Sequence, residues 1–161
     1  MPKVSQEHVE ARRAQILEGA RRCFARYGYD GATVPRLEQA IGLSHGAIFN
    51  YYRSKLDLFV ALALEDHRRF GRLYEALGFA GMARHIAEVD PAWLSVYLEL
   101  HRRLYTDPEL KKAWRKCAVH DVGHVHDFAH TVLYGLVFMR AAGVEIDVEP
   151  IIASAQQILD R

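Results

Sequence analysis

Apolar residues recur at intervals of three and four along most of the chain, and sustained period-two alternation is absent, so the pattern predicts an all-α fold. A first stripe runs through Ile16, Ala20, Cys23 or Phe24, and Tyr27, with Arg12, Arg13, Arg21, Arg22 and Arg26 largely off it. Gly28 is expected to end that helix. A second, short helix is expected to open at Thr33, whose hydroxyl can cap a free backbone N–H, with Pro35 tolerated in its first turn. Val34, Leu37 and Ile41 face inward and Gly42 closes the helix. Leu43 plugs the turn, and Ser44 is expected to cap a third helix running from His45 to Tyr52. Ser54-Lys55-Leu56-Asp57 reads as a capping box for a fourth helix carrying Leu58, Phe59, Leu62 and Ala63.

Two short helices joined by a glycine-led turn make a helix-turn-helix, although the spacing alone also fits a plain helical bundle. Past residue 66 the helices lengthen. Asp90-Pro91 and Asp107-Pro108 each start one; the first carries Trp93, Val96 or Tyr97, Leu100 and Leu104 along a face, and the second Leu110, Trp114 and Cys117. A further helix is expected from about Val125 to Ala142, apolar around most of its circumference, and a last one from near Asp147 to Leu159 with Ile151, Ile152, Ala155 and Ile158 on one side. An apolar surface that wide needs cover on most sides, and a second copy of the chain is the natural cover, so a homodimer is predicted. The expected organisation is an N-terminal three-helix helix-turn-helix domain over residues 1–58, followed by a shortened helical dimerisation and effector-binding bundle over 59–161.

Charge sharpens this division. The net charge is only +1, yet residues 1–60 hold nine Lys/Arg against six Asp/Glu, whereas the remainder holds twelve against fourteen. A local positive excess is the footprint of a module that meets phosphate. Half of the 161 residues are apolar and a quarter charged, as in ordinary soluble globular proteins. The two cysteines, Cys23 and Cys117, each fall in an apolar helical pattern and are expected to be buried free thiols in a reducing compartment. The first residues lack the apolar core of a signal peptide and no run reaches membrane-spanning length, so a cytoplasmic location without membrane association is expected.

The segment Gly31-Ala32-Thr33-Val34-Pro35-Arg36-Leu37-Glu38-Gln39-Ala40-Ile41-Gly42-Leu43-Ser44, followed by His45-Gly46-Ala47-Ile48-Phe49-Asn50-Tyr51-Tyr52-Arg53-Ser54-Lys55, resembles the signature of TetR-family transcriptional regulators in order, spacing and capping residues. The resemblance covers about a third of the chain, from Ile16 to Asp66. Through Gly19-Ala20-Arg21-Arg22-Cys23-Phe24-Ala25 and Gly46-Ala47-Ile48-Phe49 it is most similar to the aconitase-repressor subgroup. Phe49, Tyr51 and Tyr52 stand where the family often has Tyr, His and Phe, which reshuffles the phenolic phosphate donors. The region after residue 66 is short for the family, and the stretch between Trp114 and His130 is abbreviated.

The resemblance implies a regulator that binds double-stranded operator DNA, in most family members as a repressor. In a helix-turn-helix the second helix lies in the major groove, with its first residues against base edges. Ser44, His45, Gly46 and Ala47 are therefore expected deepest: Ser44 near a phosphate, His45 donating to a purine edge, Gly46 allowing close backbone approach and Ala47 touching a thymine methyl. Asn50 is the second candidate reader. Thr33, Arg36, Phe49, Tyr51, Tyr52 and Lys55 complete the expected DNA-binding set, and of these Thr33, Arg36, Tyr51, Tyr52 and Lys55 are the ones assigned to phosphates.

The remainder holds one cluster able to carry other chemistry. His120, His124, His126 and His130 form two pairs spaced four apart, each able to chelate a divalent metal if helical, although Gly123 lies between the pairs. Glu99, Arg102 and Arg103 are candidates for an effector site, and the subgroup resemblance implies a small carboxylate effector with or without a divalent cation. No cofactor is required. No Ser/His/Asp order, glycine-rich phosphate loop or pair of carboxylates points to an enzyme. The competing readings are a metal-binding helical protein built on the histidines and a TetR-like regulator without an effector pocket.

Overall fold

The computed structural model describes residues 6–118 and 127–159. Among them are eight helices and no strand: α1 (Gln6–Gly31), α2 (Val34–Ile41), α3 (His45–Phe49), α4 (Lys55–Glu88), α5 (Pro91–Thr106), α6 (Pro108–Ala118), α7 (Asp127–Ala141) and α8 (Glu149–Leu159). The chain divides into two compact units, Met1–Ala63 and Leu64–Arg161, and the division falls inside α4. Phe59 packs into the N-terminal unit, edge-on to Phe24 at 5.2 Å and to Tyr29 at 5.1 Å.

In the N-terminal unit the predicted stripe is buried at Ile16, Ala20, Cys23 and Phe24, but Tyr27 is exposed. Gly28, at φ 66° and ψ 176°, breaks the helical phase, and Tyr29 instead stacks on Phe24 at 5.9 Å. Leu37, Ile41, Ile48, Leu58 and Leu62 are also buried. Each such side chain contributes about 1.5–3 kcal/mol when taken fully out of water.

The crossing of α1 and α2 depends on Gly19. A Cβ there would lie 2.5 Å from the Ile41 Cα and 2.9 Å from the Ala40 carbonyl oxygen, so only glycine permits this approach. The end of α2 is then tied to α1 by side chains. Gln15 Nε2 donates to the Ile41 carbonyl at 3.3 Å and Arg22 Nη2 to the Ala40 carbonyl at 3.0 Å, satisfying acceptors that a helix terminus leaves open. Gly42 completes the stop at φ 75°, its N–H donating to the Glu38 carbonyl at 2.8 Å.

The C-terminal unit packs around Phe79, Met82, Ala83, Ile86, Leu94, Leu133, Leu136, Val137 and Ile152. Its predicted starts hold at Pro91 and Pro108. Asp107 Oδ1 accepts from the N–H groups of Glu109 and Leu110, both at 3.0 Å, and Asp147 Oδ1 accepts from Glu149 at 3.2 Å. Arg84 and Glu149 form a two-point ion pair at 2.7 and 2.8 Å between α4 and α8. Ile158 is exposed rather than packed with Ile152 and Ala155. Among the described residues, no helix is long and apolar enough to cross a membrane.

Candidate nucleic-acid interface

The third helix is shorter than the pattern predicts. It ends at Phe49, and Asn50 and Tyr51 continue as a turn in which the Asn50 N–H donates to the Gly46 carbonyl at 3.0 Å and the Tyr51 N–H to the Ile48 carbonyl at 3.0 Å. Five residues cannot hold a helix by themselves, so α3 depends on what surrounds it. Ile48, fully buried, anchors one side. The opposite side presents Ser44, His45, Gly46 and Asn50 to solvent, with Ala47 and Phe49 partly covered and the His45 ring 4.5 Å from that of Phe49.

The two expected helix caps differ from the prediction. Neither Thr33 nor Ser44 makes a side-chain cap hydrogen bond. Both have extended backbone, and at α3 the Glu38 carboxylate accepts from the His45 N–H. Sequence reasoning missed Glu38, because its partner lies seven residues away across the turn. Ser54 does cap α4, accepting from the Asp57 N–H at 3.1 Å.

Gly46 contrasts with Gly19. A Cβ at Gly46 meets no atom within 4 Å and its φ is not positive, so nothing in the chain itself requires glycine there. The phosphate candidates surround α3 but are partly committed within the chain. Arg36 donates through Nη1 to the Gly31 carbonyl at 2.8 Å and stacks over the Tyr27 ring at 4.4 Å. Lys55 donates to the Tyr29 carbonyl at 3.0 Å and sits 4.4 Å over that residue's ring, which uses one of its three N–H donors. Thr33 is exposed, while Tyr51 and Tyr52 are half-buried. Burial pushes the Tyr52 hydroxyl pKa up, opposed by Arg13, so its proton stays on as a hydrogen-bond donor.

The second candidate site is altered. Glu99 pairs with Arg102 at 2.9 Å and with Arg103 at 2.8 Å, which leaves one net positive charge on the trio. A groove of about 500 Å³ lies instead beside Leu98, His101, Tyr134, Val137 and Phe138, where Tyr134 meets the rings of His101, His130 and Phe70 at 5.7, 5.8 and 6.2 Å. Of the four predicted metal-binding histidines, His120, His124 and His126 fall outside the described residues, and His130 belongs to this aromatic cluster. Among the described residues, no three His, Cys, Asp or Glu side chains converge as a metal site.

An exposed short helix seated on a glycine-crossed helix pair is the arrangement of a helix-turn-helix regulator, and residues 16–62 match the family model "Bacterial regulatory proteins, tetR family". Residues 16–62 are thus a TetR-family helix-turn-helix segment, and the chain is similar to the AcnR repressors. It is 52% identical over 116 residues to the HTH-type transcriptional repressor Rv1474c of Mycobacterium tuberculosis, covering 71% of this chain and 62% of that one. To the HTH-type transcriptional repressor AcnR of Corynebacterium glutamicum it is 49% identical over 105 residues, covering 63% and 55%. The alignments thus span about six tenths of the length of these curated relatives. Salmonella enterica GusR shares the fold, with a TM-score of 0.58 at 17% identity over 94% of this chain and 90% of that one.

Proposed function

We propose that the chain is a DNA-binding transcriptional repressor that acts as a homodimer, inserting α3 of each subunit into the major groove of operator DNA. The observation that carries this reading is the exposed face of α3, whose Gly46 has no internal reason to be glycine. His45 and Asn50 read base edges, and Ala47 contacts a thymine methyl. Thr33, Arg36, Tyr51, Tyr52 and the two uncommitted donors of Lys55 hold phosphates, which sets register without carrying sequence information.

Dimerisation is supported by the apolar residues left in solvent on α7 and α8: Phe128, Phe138, Met139, Ile158 and Leu159. A second copy covers them and sets the two α3 helices at a fixed spacing. Control by a small molecule is supported by the groove beside His101 and Tyr134. Its lining suits a ligand with apolar surface and a hydrogen-bonding group for His101 or Tyr134. Such a ligand lowers operator affinity by binding more tightly to the dimer spacing that misfits DNA.

Selection of duplexes from random DNA by the purified protein tests the reading. Enrichment of a two-fold symmetric sequence is expected, and recovery of no sequence above the starting pool overturns it.

A further inference from the structure

We infer that Glu38 is a positioning and selectivity residue of the DNA-binding unit, an inference that rests on the DNA-binding reading above. A run of side-chain to backbone bonds links the three helices in order. Gln15 and Arg22 of α1 hold the last carbonyls of α2, and Glu38 of α2 holds the first N–H of α3. The third link has no substitute in the described structure, because Ser44, at the ordinary capping position, makes no cap bond and α3 is only five residues long. Glu38 therefore fixes the start of the helix whose residues meet base edges, beside His45 itself.

The same carboxylate places a negative charge beside His45, which is exposed. Attraction between basic side chains and phosphates favours every duplex alike, whereas base contacts favour one sequence. A carboxylate at this surface weakens the general term, and by holding α3 in register it preserves the specific term. The first effect is shared by the correct duplex and all others; only the second widens the gap between them.

Two variants separate charge from positioning. Glu38→Gln keeps an acceptor for the His45 N–H and removes the charge; Glu38→Ala removes both. Binding of each full-length variant is measured against the best duplex recovered by selection and a scrambled duplex of equal length, with thermal melting as the folding control. For Glu38→Gln, binding to the selected and the scrambled duplex is expected to tighten alike, by about threefold or more, with their ratio unchanged. For Glu38→Ala, binding to the selected duplex is expected to weaken about tenfold or more while the scrambled duplex is held at least as well as by the wild type. A selectivity ratio within about twofold of wild type for Glu38→Ala overturns the inference. If that variant does not fold, Glu38→Asp, whose shorter side chain withdraws the acceptor from the His45 N–H while keeping the charge, is expected to lose selectivity in the same direction, and an unchanged ratio there overturns it. Wild-type protein that prefers no duplex refutes the DNA-binding reading itself, and the role of Glu38 falls with it.

Discussion

The two units spend their side chains in opposite ways. In the N-terminal unit polar groups work inward: Gln15, Arg22, Arg36, Glu38 and Lys55 each bond to a backbone group elsewhere in the unit, which leaves a small polar face around α3 in solvent. In the C-terminal unit the core is apolar, and apolar residues also reach the surface along α7 and α8, with Phe138 58% and Ile158 53% exposed. The first surface suits a polar, charged partner that must be read with precision. The second suits an identical apolar surface, packed closely enough to exclude water.

The comparison breaks most visibly if the apolar surface is charged. Phe138→Glu is expected to weaken self-association about a hundredfold or more, as loss of a central interface anchor does, and to lower operator affinity with it while the monomer stays helical. Analytical ultracentrifugation and circular dichroism check this, and a dimer that persists at micromolar concentration contradicts the assignment of that face.

Next in size is the pair of glycines. Gly19→Ala forces a methyl group against the Ile41 backbone and is expected to destabilise the protein by about 1–3 kcal/mol, the usual cost of overpacking. Gly46→Ala meets no internal neighbour and should leave the denaturation midpoint unchanged or slightly raised, yet weaken operator binding about tenfold through a lost close approach. Equal effects of the two substitutions on stability would erase the distinction between a glycine needed for folding and one needed for binding.

Lys55→Ala sharpens the comparison further, because Lys55 belongs to both roles. The bond to the Tyr29 carbonyl predicts lost stability, and the remaining donors predict a salt dependence of DNA binding shallower by roughly one counterion. A shift in stability with an unaltered salt slope would assign Lys55 to the fold alone.

The smallest effect concerns the Arg84–Glu149 pair. The hydrogen bond from Arg84 holds the Glu149 carboxyl below its ordinary value of 4.5. A depressed carboxyl stabilises the fold above its unfolded pKa, and the contribution disappears as pH falls through the folded value. Glu149→Gln should therefore melt slightly lower than wild type at neutral pH, and the difference should vanish well below pH 4.5, as thermal scans at several pH values would reveal.

Much of this architecture is legible in the chain because its punctuation is local. Gly42, Ser54, Asp90-Pro91 and Asp107-Pro108 act on their immediate neighbours, and the helices start or stop where they stand. What escapes a sequence reading depends on distant partners. Tyr27 continues the stripe on paper, but Gly28 resets the helical phase and gives the core position to Tyr29. The cap of α3 comes from Glu38 because packing brings that side chain to the turn, a fact no capping rule contains. Gly19 can be recognised as a contact residue only once the Ile41 backbone is known to lie against it.

Footprinting of the selected duplex tests the central claim most directly. A dimer presenting α3 twice predicts two protected major-groove segments related by two-fold symmetry, centred about 34 Å apart or somewhat more, both lost together in Phe138→Glu. A single protected segment unaffected by that substitution, or protection with no fixed position, would contradict it.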